Sequence, residues 1–96
     1  MKKGFFITLE GIEGAGKSTM VSFIEDFLTK DGHDVIKTRE PGGTKIGEQI
    51  RTILLKNENK NLTADAELLL IFAARAQHIK EVITPALTSG KTILCD

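Results

Sequence analysis

Apolar and polar positions fall along the chain in blocks whose spacing changes from segment to segment. Phe5 to Leu9 is an apolar run with aromatic and β-branched members, the pattern of a strand buried on both faces. From Lys17 to about Lys30, Met20, Ile24, Phe27 and Leu28 recur at the spacing of one helix face, and Gly32 supplies a stop. "DVIKT" predicts a second short strand, ended by the turn residues Pro41, Gly42 and Gly43. Ile46, Ile50, Ile53 and Leu54 repeat the helical spacing, and "KNENKN" reads as a polar loop. A long helical stretch begins near Thr63, with Asp65 and Glu67 suited to the positive end of its dipole. Pro85 is expected to kink or end it, and Gly90 to close it. "KTILCD" reads as a third strand.

Strand, helix, strand, helix, helix, strand implies an α/β fold with a parallel sheet and helices on both faces. In such sheets ligands gather beyond the carboxyl ends of the strands. Three polar clusters fall at those ends: the loop after Leu9, "REPGG", and Asp96.

Composition removes several function classes. The 96 residues carry 13 basic and 13 acidic side chains, a net charge of zero without a basic stripe, so no nucleic-acid partner is expected. Cys95 is the sole cysteine and its neighbours are apolar, which suggests a small buried side chain in a reducing, cytoplasmic setting. "MKKGFFITLEG" begins like a signal peptide, but its apolar run is too short and acidic residues follow at once. No window approaches the roughly 18 apolar residues of a membrane helix, so no membrane partner is expected. His33 and His78 lack a metal-ligating neighbour at the usual spacing and read as surface or helix-face residues.

The chemistry begins at "GIEGAGKST". Gly11, Gly14, Gly16, Lys17 and Ser18 satisfy the phosphate-loop pattern, with a strand before and a helix after. Glycines let successive N–H groups converge on phosphate oxygens, and the following helix directs its positive end at the same place. Lys17 should meet the β and γ oxygens, and the Ser18 hydroxyl should ligate Mg²⁺. Nucleotide binding is therefore expected across Gly11, Ile12, Glu13, Gly14 and Ala15 and on through Gly16, Lys17, Ser18 and Thr19.

"LEGIEGAGKST" followed by "TREPGGT", "FAARAQHI", "VITPAL" and "ILCD" resembles the thymidylate kinases, in the same order and over almost the whole chain. The resemblance implies a P-loop nucleoside monophosphate kinase fold and transfer of a phosphoryl group from ATP to dTMP, with Mg²⁺. Another nucleoside monophosphate kinase of the same fold, or a non-catalytic nucleotide-binding fragment, is the alternative. By resemblance, Glu13 stands near the sugar 3′-hydroxyl of dTMP. Arg39, Glu40 and Pro41 line the monophosphate pocket, and Arg51 and Leu55 belong to the same pocket. Asp96 joins Ser18 at the metal and joins Lys17, Glu13 and Arg39 in transfer. Arg75 lies on an otherwise apolar face, where burial would demand an anion, and the resemblance assigns it the dTMP phosphate.

The chain departs from the family in two places. Many members carry a phenylalanine four residues before that arginine, stacked on the base; here Ile71 holds that position and Phe72 follows, so either covers the thymine. No arginine lies inside the phosphate loop, which is similar to the bacterial type, whose arginines sit in a later lid. The chain therefore reads as the N-terminal part, residues 1–96, of a single kinase domain truncated after the third strand and inactive alone. The whole protein is expected to be a homodimer. In the family's sheet a later strand flanks the phosphate-loop strand, so here Phe5 to Leu9 is expected as an exposed edge.

Overall fold

The computed structural model describes residues 4–10, 16–56 and 59–96. The described chain forms two compact units, Met1–Thr38 with Pro85–Asp96, and Arg39–Thr84.

The first unit holds a parallel sheet of β1 (Phe6–Thr8), β2 (Val35–Thr38) and β3 (Thr92–Cys95) in the order β1-β3-β2. Ile7 lies opposite Leu94, and Ile36 opposite Ile93. Every residue of β3 is buried, as its unbroken apolar pattern requires of a strand paired on both sides. Helix α1 (Gly16–Lys30) joins β1 to β2. It ends where the Gly32 and His33 amides donate to the carbonyls of Thr29 and Leu28. The short helix α4 (Thr84–Thr88) ends the same way: Gly90 and Lys91 donate to Leu87 and Ala86. Both closures need a left-handed residue, and Gly32 (φ 90°) and Gly90 (φ 79°) supply it.

β1 is an edge strand, as the resemblance implies, and not the doubly buried strand that its apolar run suggests. Phe6 is 42% exposed. The stripe of α1 is likewise less covered than its periodicity predicts: Leu28 is buried, whereas Met20 and Phe27 are exposed. Periodicity marks which side chains share a face; it does not say whether a partner covers that face.

His33 is not a surface residue, for its side chain is 7% exposed. Its Nδ1 lies 3.1 Å from Thr92 Oγ1, and its ring is tilted against Phe5. The Thr92 hydroxyl already accepts from the Phe5 amide, so its own hydrogen is free to donate to the imidazole.

The second unit pairs α2 (Lys45–Leu55) with α3 (Ala64–His78). Thr44 caps α2 by accepting from the Gly47 amide at 2.8 Å, and Thr63 caps α3 through the Ala66 amide. Ile50 is buried, while Ile46 and Ile53 of the same stripe are exposed. After α3 the helix widens into a π turn, Ile79–Ile83, in which the Thr84 amide donates to the Ile79 carbonyl. Pro85 therefore follows a widened turn and stands inside α4, where an ordinary turn would have set its ring against a carbonyl. The expected break at Pro85 is displaced upstream into that turn. Among the described residues no helix is long and apolar enough to cross a membrane.

The unpaired side of β1 generates a prediction. Made as 96 residues, the chain should self-associate through this edge, and Phe6→Lys should shift it toward monomer by placing a charge there. Sedimentation velocity reads the result; a wild-type monomer at tens of micromolar would refute it.

Candidate functional site

In the first unit, Lys17 lies one residue into α1 and Asp96 directly follows β3. The parallel register carries both to the carboxyl end of the sheet, and the Lys17 ammonium forms an ion pair with the Asp96 carboxylate. They line an open cleft of about 340 Å³ together with Ser18, Val21, Ser22 and Lys37. The first turn of α1 contains no acidic residue of its own to offset its positive end. Lys37 is a cation that sequence reading missed; it projects from β2 and pairs with Glu25 at 3.2 Å. Thr19 is exposed one position further along α1. Gly11, Ile12, Glu13, Gly14 and Ala15 lie outside the described residues.

In the second unit, Arg39 begins the loop "REPGGT", and Arg51 and Arg75 donate to it. Arg39 donates from Nε to Glu48 Oε2 at 3.1 Å and from Nη2 to the other oxygen, a two-point fork. The Gly43 amide also donates to Glu48 Oε2, at 2.9 Å. The Arg39 fork first, then that amide, holds the Glu48 carboxyl at about 2. Arg51 donates from Nη1 to the Pro41 carbonyl at 3.2 Å, and Arg75 donates from Nε to Glu40 Oε1 at 2.8 Å.

Glu40 is the centre of this second cluster. Its other oxygen lies 2.8 Å from His78 Nδ1. Partial burial pushes the Glu40 carboxyl up, but hydrogen bonds from His78 and Arg75, with the Arg75 charge, outweigh it and leave the group below its ordinary value. Glu40 is then a carboxylate, which only accepts, so His78 Nδ1 carries the proton in this contact.

Two expectations need correction here. Arg75 is not buried: its side chain is 50% exposed, because the covered stripe of α3 runs through Ala74 and His78 and Arg75 stands beside it. An internal anion nonetheless stands beside it, the Glu40 carboxylate. His78 is not a surface residue either; it is 0% exposed. Its signal was its place one turn after Arg75 on α3, and the signal for Glu48 was an acid in the first turn of α2. Phe72 and Leu55 are exposed, and Ile71 is half-buried.

The parallel sheet and the cation-lined cleft at the start of α1 suit a P-loop fold, of the nucleoside monophosphate kinase type that the chain's relatives share. The family model "Thymidylate kinase" matches residues 9–96, and the chain belongs to that family. It is 57% identical over 95 residues to the thymidylate kinase of Protochlamydia amoebophila, covering 98% of this chain and 42% of that protein. It is 54% identical to the thymidylate kinase of Vesicomyosocius okutanii, covering 100% of this chain and 47% of that one. The crystal structure of thymidylate kinase from Ehrlichia chaffeensis aligns with a TM-score of 0.82 at 37% identity, over 97% of this chain and 52% of that chain. The chain thus spans about half the length of the relatives it matches.

Gly42 sits at φ +141°, and a Cβ there would stand 2.1 Å from Glu48 Oε2. Gly42→Ala should therefore open the Arg39–Glu48 fork and destabilise the fold by about 1–3 kcal/mol. Because the folded carboxyl titrates below its ordinary 4.5, its stabilisation is complete above that pH and lost as pH falls toward 2. In the variant the Glu48 midpoint, followed by carboxyl NMR, should return toward 4.5. An unchanged midpoint and melt would show that the loop tolerates the side chain.

Proposed function

We propose that the protein carrying this chain transfers a phosphoryl group from ATP to dTMP, giving dTDP and ADP. The observation that carries the reading is that Arg51 and Arg75 both donate to the loop that Arg39 begins, in a chain that belongs to the thymidylate kinase family. Fixed guanidiniums suit a phosphate monoester, whose second pKa of about 6 leaves it largely dianionic at neutral pH.

Lys17 and the start of α1 would take the ATP phosphates, with Gly11 to Gly16 and Thr19 completing the loop, and Glu13 would stand near the sugar of dTMP. The Ser18 hydroxyl and Asp96 carboxylate line the same cleft as Lys17, and two hard oxygen donors suit Mg²⁺. When bound, the ion would supply further positive charge to the nucleotide phosphates. The acceptor oxygen of dTMP is already ionised, so no strong general base is required. Transfer then depends on in-line placement and charge neutralisation. Phe72, exposed one turn before Arg75, is our choice over Ile71 for the base contact. We place Leu55 and Pro41 at the rim of the same pocket. The exposed Leu68 and Leu69 of α3 support a homodimer of the whole protein, and the sole cysteine, Cys95, supports a cytoplasmic setting.

The test uses a complete kinase in which these residues replace the matched segment of the Vesicomyosocius okutanii relative. Coupled ADP release should be strong with dTMP and weak with dUMP, AMP and GMP. Lys17→Ala should abolish transfer without altering the melt, and near-normal turnover at saturating ATP would overturn its assignment. Arg75→Ala should weaken dTMP by about one to two powers of ten and ATP little, the loss of one charge-assisted contact. Arg75→Lys should recover only part, since an ammonium lacks the planar fork. Calorimetric titration of each nucleotide decides it; unchanged dTMP affinity would move the monophosphate pocket elsewhere. The 96 residues alone should show no turnover.

A further inference from the structure

The buried imidazole of His78 has no part in the transfer described above, yet it touches the carboxylate that touches Arg75. We infer that His78 is a positioning residue: through Glu40 it fixes the guanidinium of Arg75 for the phosphate of the nucleoside monophosphate. The inference rests on the proposed role of Arg75.

Exposure along the three side chains rises outward, from 0% at His78 to 18% at Glu40 and 50% at Arg75. The anchored end lies in the packed interior, where an imidazole has few rotamers, and the working end reaches solvent. Arg75 spends only its Nε on Glu40 Oε1. Among the described residues no other bond holds it, so the Nη1 and Nη2 edge is presented outward, aimed by the contact behind it. Without an anchor, Glu40 would be a partly exposed carboxylate able to follow Arg75 through its rotamers. It would then compete with a phosphate for the same donors. The bond from His78 Nδ1 holds Oε2 back at 2.8 Å and lets only Oε1 serve the arginine. It also draws on the Glu40 charge, which lessens repulsion of an incoming dianion. Burial of a hydrogen-bonded polar group at this spot is costly to leave unsatisfied, and among the described residues no buried side-chain polar atom lacks a partner. A purely apolar residue would fill the interior but would leave Glu40 Oε2 without this donor.

The experiment compares His78→Phe, His78→Asn and Glu40→Gln in the complete kinase, each with and without Arg75→Ala. Steady-state kinetics are taken for dTMP and ATP separately, with melts alongside. His78→Phe should raise KM for dTMP about tenfold, with kcat and KM for ATP within about twofold. His78→Asn, whose amide nitrogen reaches the place of Nδ1, should restore most of the loss. On the Arg75→Ala background the same changes at position 78 should leave KM for dTMP where Arg75→Ala alone puts it. Equal effects of His78→Phe with and without Arg75 would overturn the inference, as would failure of Asn to rescue. Should both His78 variants melt too low to assay, Glu40→Gln carries the test: it should raise KM for dTMP only while Arg75 is present, and an unchanged KM overturns the relay. If Arg75→Ala itself leaves dTMP binding intact, the functional reading fails first, and the inference falls with it.

Discussion

Four residues, Thr92 to Cys95, carry both ladders of the sheet, and the first unit depends on their burial. β1 and β2 do not pair with each other; each pairs with β3. Parallel pairing on both sides, with a β-branched and apolar sequence, takes every one of these four residues out of water. The same registers fix where the chemistry sits. Thr8 and Thr38 both lie opposite Cys95, so the residues that follow all three strands leave the sheet at one end. Asp96 meets Lys17 there because the strand order allows it nowhere else.

A second rule recurs in both units: each cation suited to an anionic ligand is first held by an oxygen of the chain. Asp96 holds Lys17, Glu48 holds Arg39, the Pro41 carbonyl holds Arg51, and Glu40 holds Arg75. Guanidiniums gathered on one loop repel one another and carry considerable rotamer entropy. Internal oxygens offset the repulsion and remove the entropy before a ligand arrives. The pairs at Glu48 and Arg75 are largely exposed and contribute little to stability on their own. Their value is geometric, since a contact that is already aimed loses less freedom on binding.

Much of this was legible in the sequence because it follows from local rules. The phosphate-loop pattern, the helix that begins near Thr63 and the glycine stops at Gly32 and Gly90 each depend on a few neighbouring residues. What escaped depends on partners far along the chain. The run from Phe5 to Leu9 looks the same whether one or two strands flank it, so its edge status came from resemblance and not from pattern. His78 and Glu40 are 38 residues apart, and no local rule pairs them. The burial of Arg75 was overestimated because a helix face was judged by its apolar neighbours Ile71 and Phe72. The covered stripe is the adjacent one, through Ala74 and His78. The π turn before Pro85 relieves a clash that a sequence reading can anticipate but not locate.

These two kinds of information correspond to two kinds of chemistry. A nucleotide's phosphates can be met by backbone amides and one lysine, and such a site can be written into a short local motif that many folds share. A monophosphate pocket that must favour one nucleotide over others needs side chains brought in from separate elements, which in the proposed reading are a loop and the two helices α2 and α3. Under the proposed transfer, the acceptor needs no base, and placement must supply what acid–base catalysis would otherwise contribute. The demand for precision then falls on the groups that aim the arginines. In that reading a fully buried histidine counts with the site as much as the guanidinium it helps to hold.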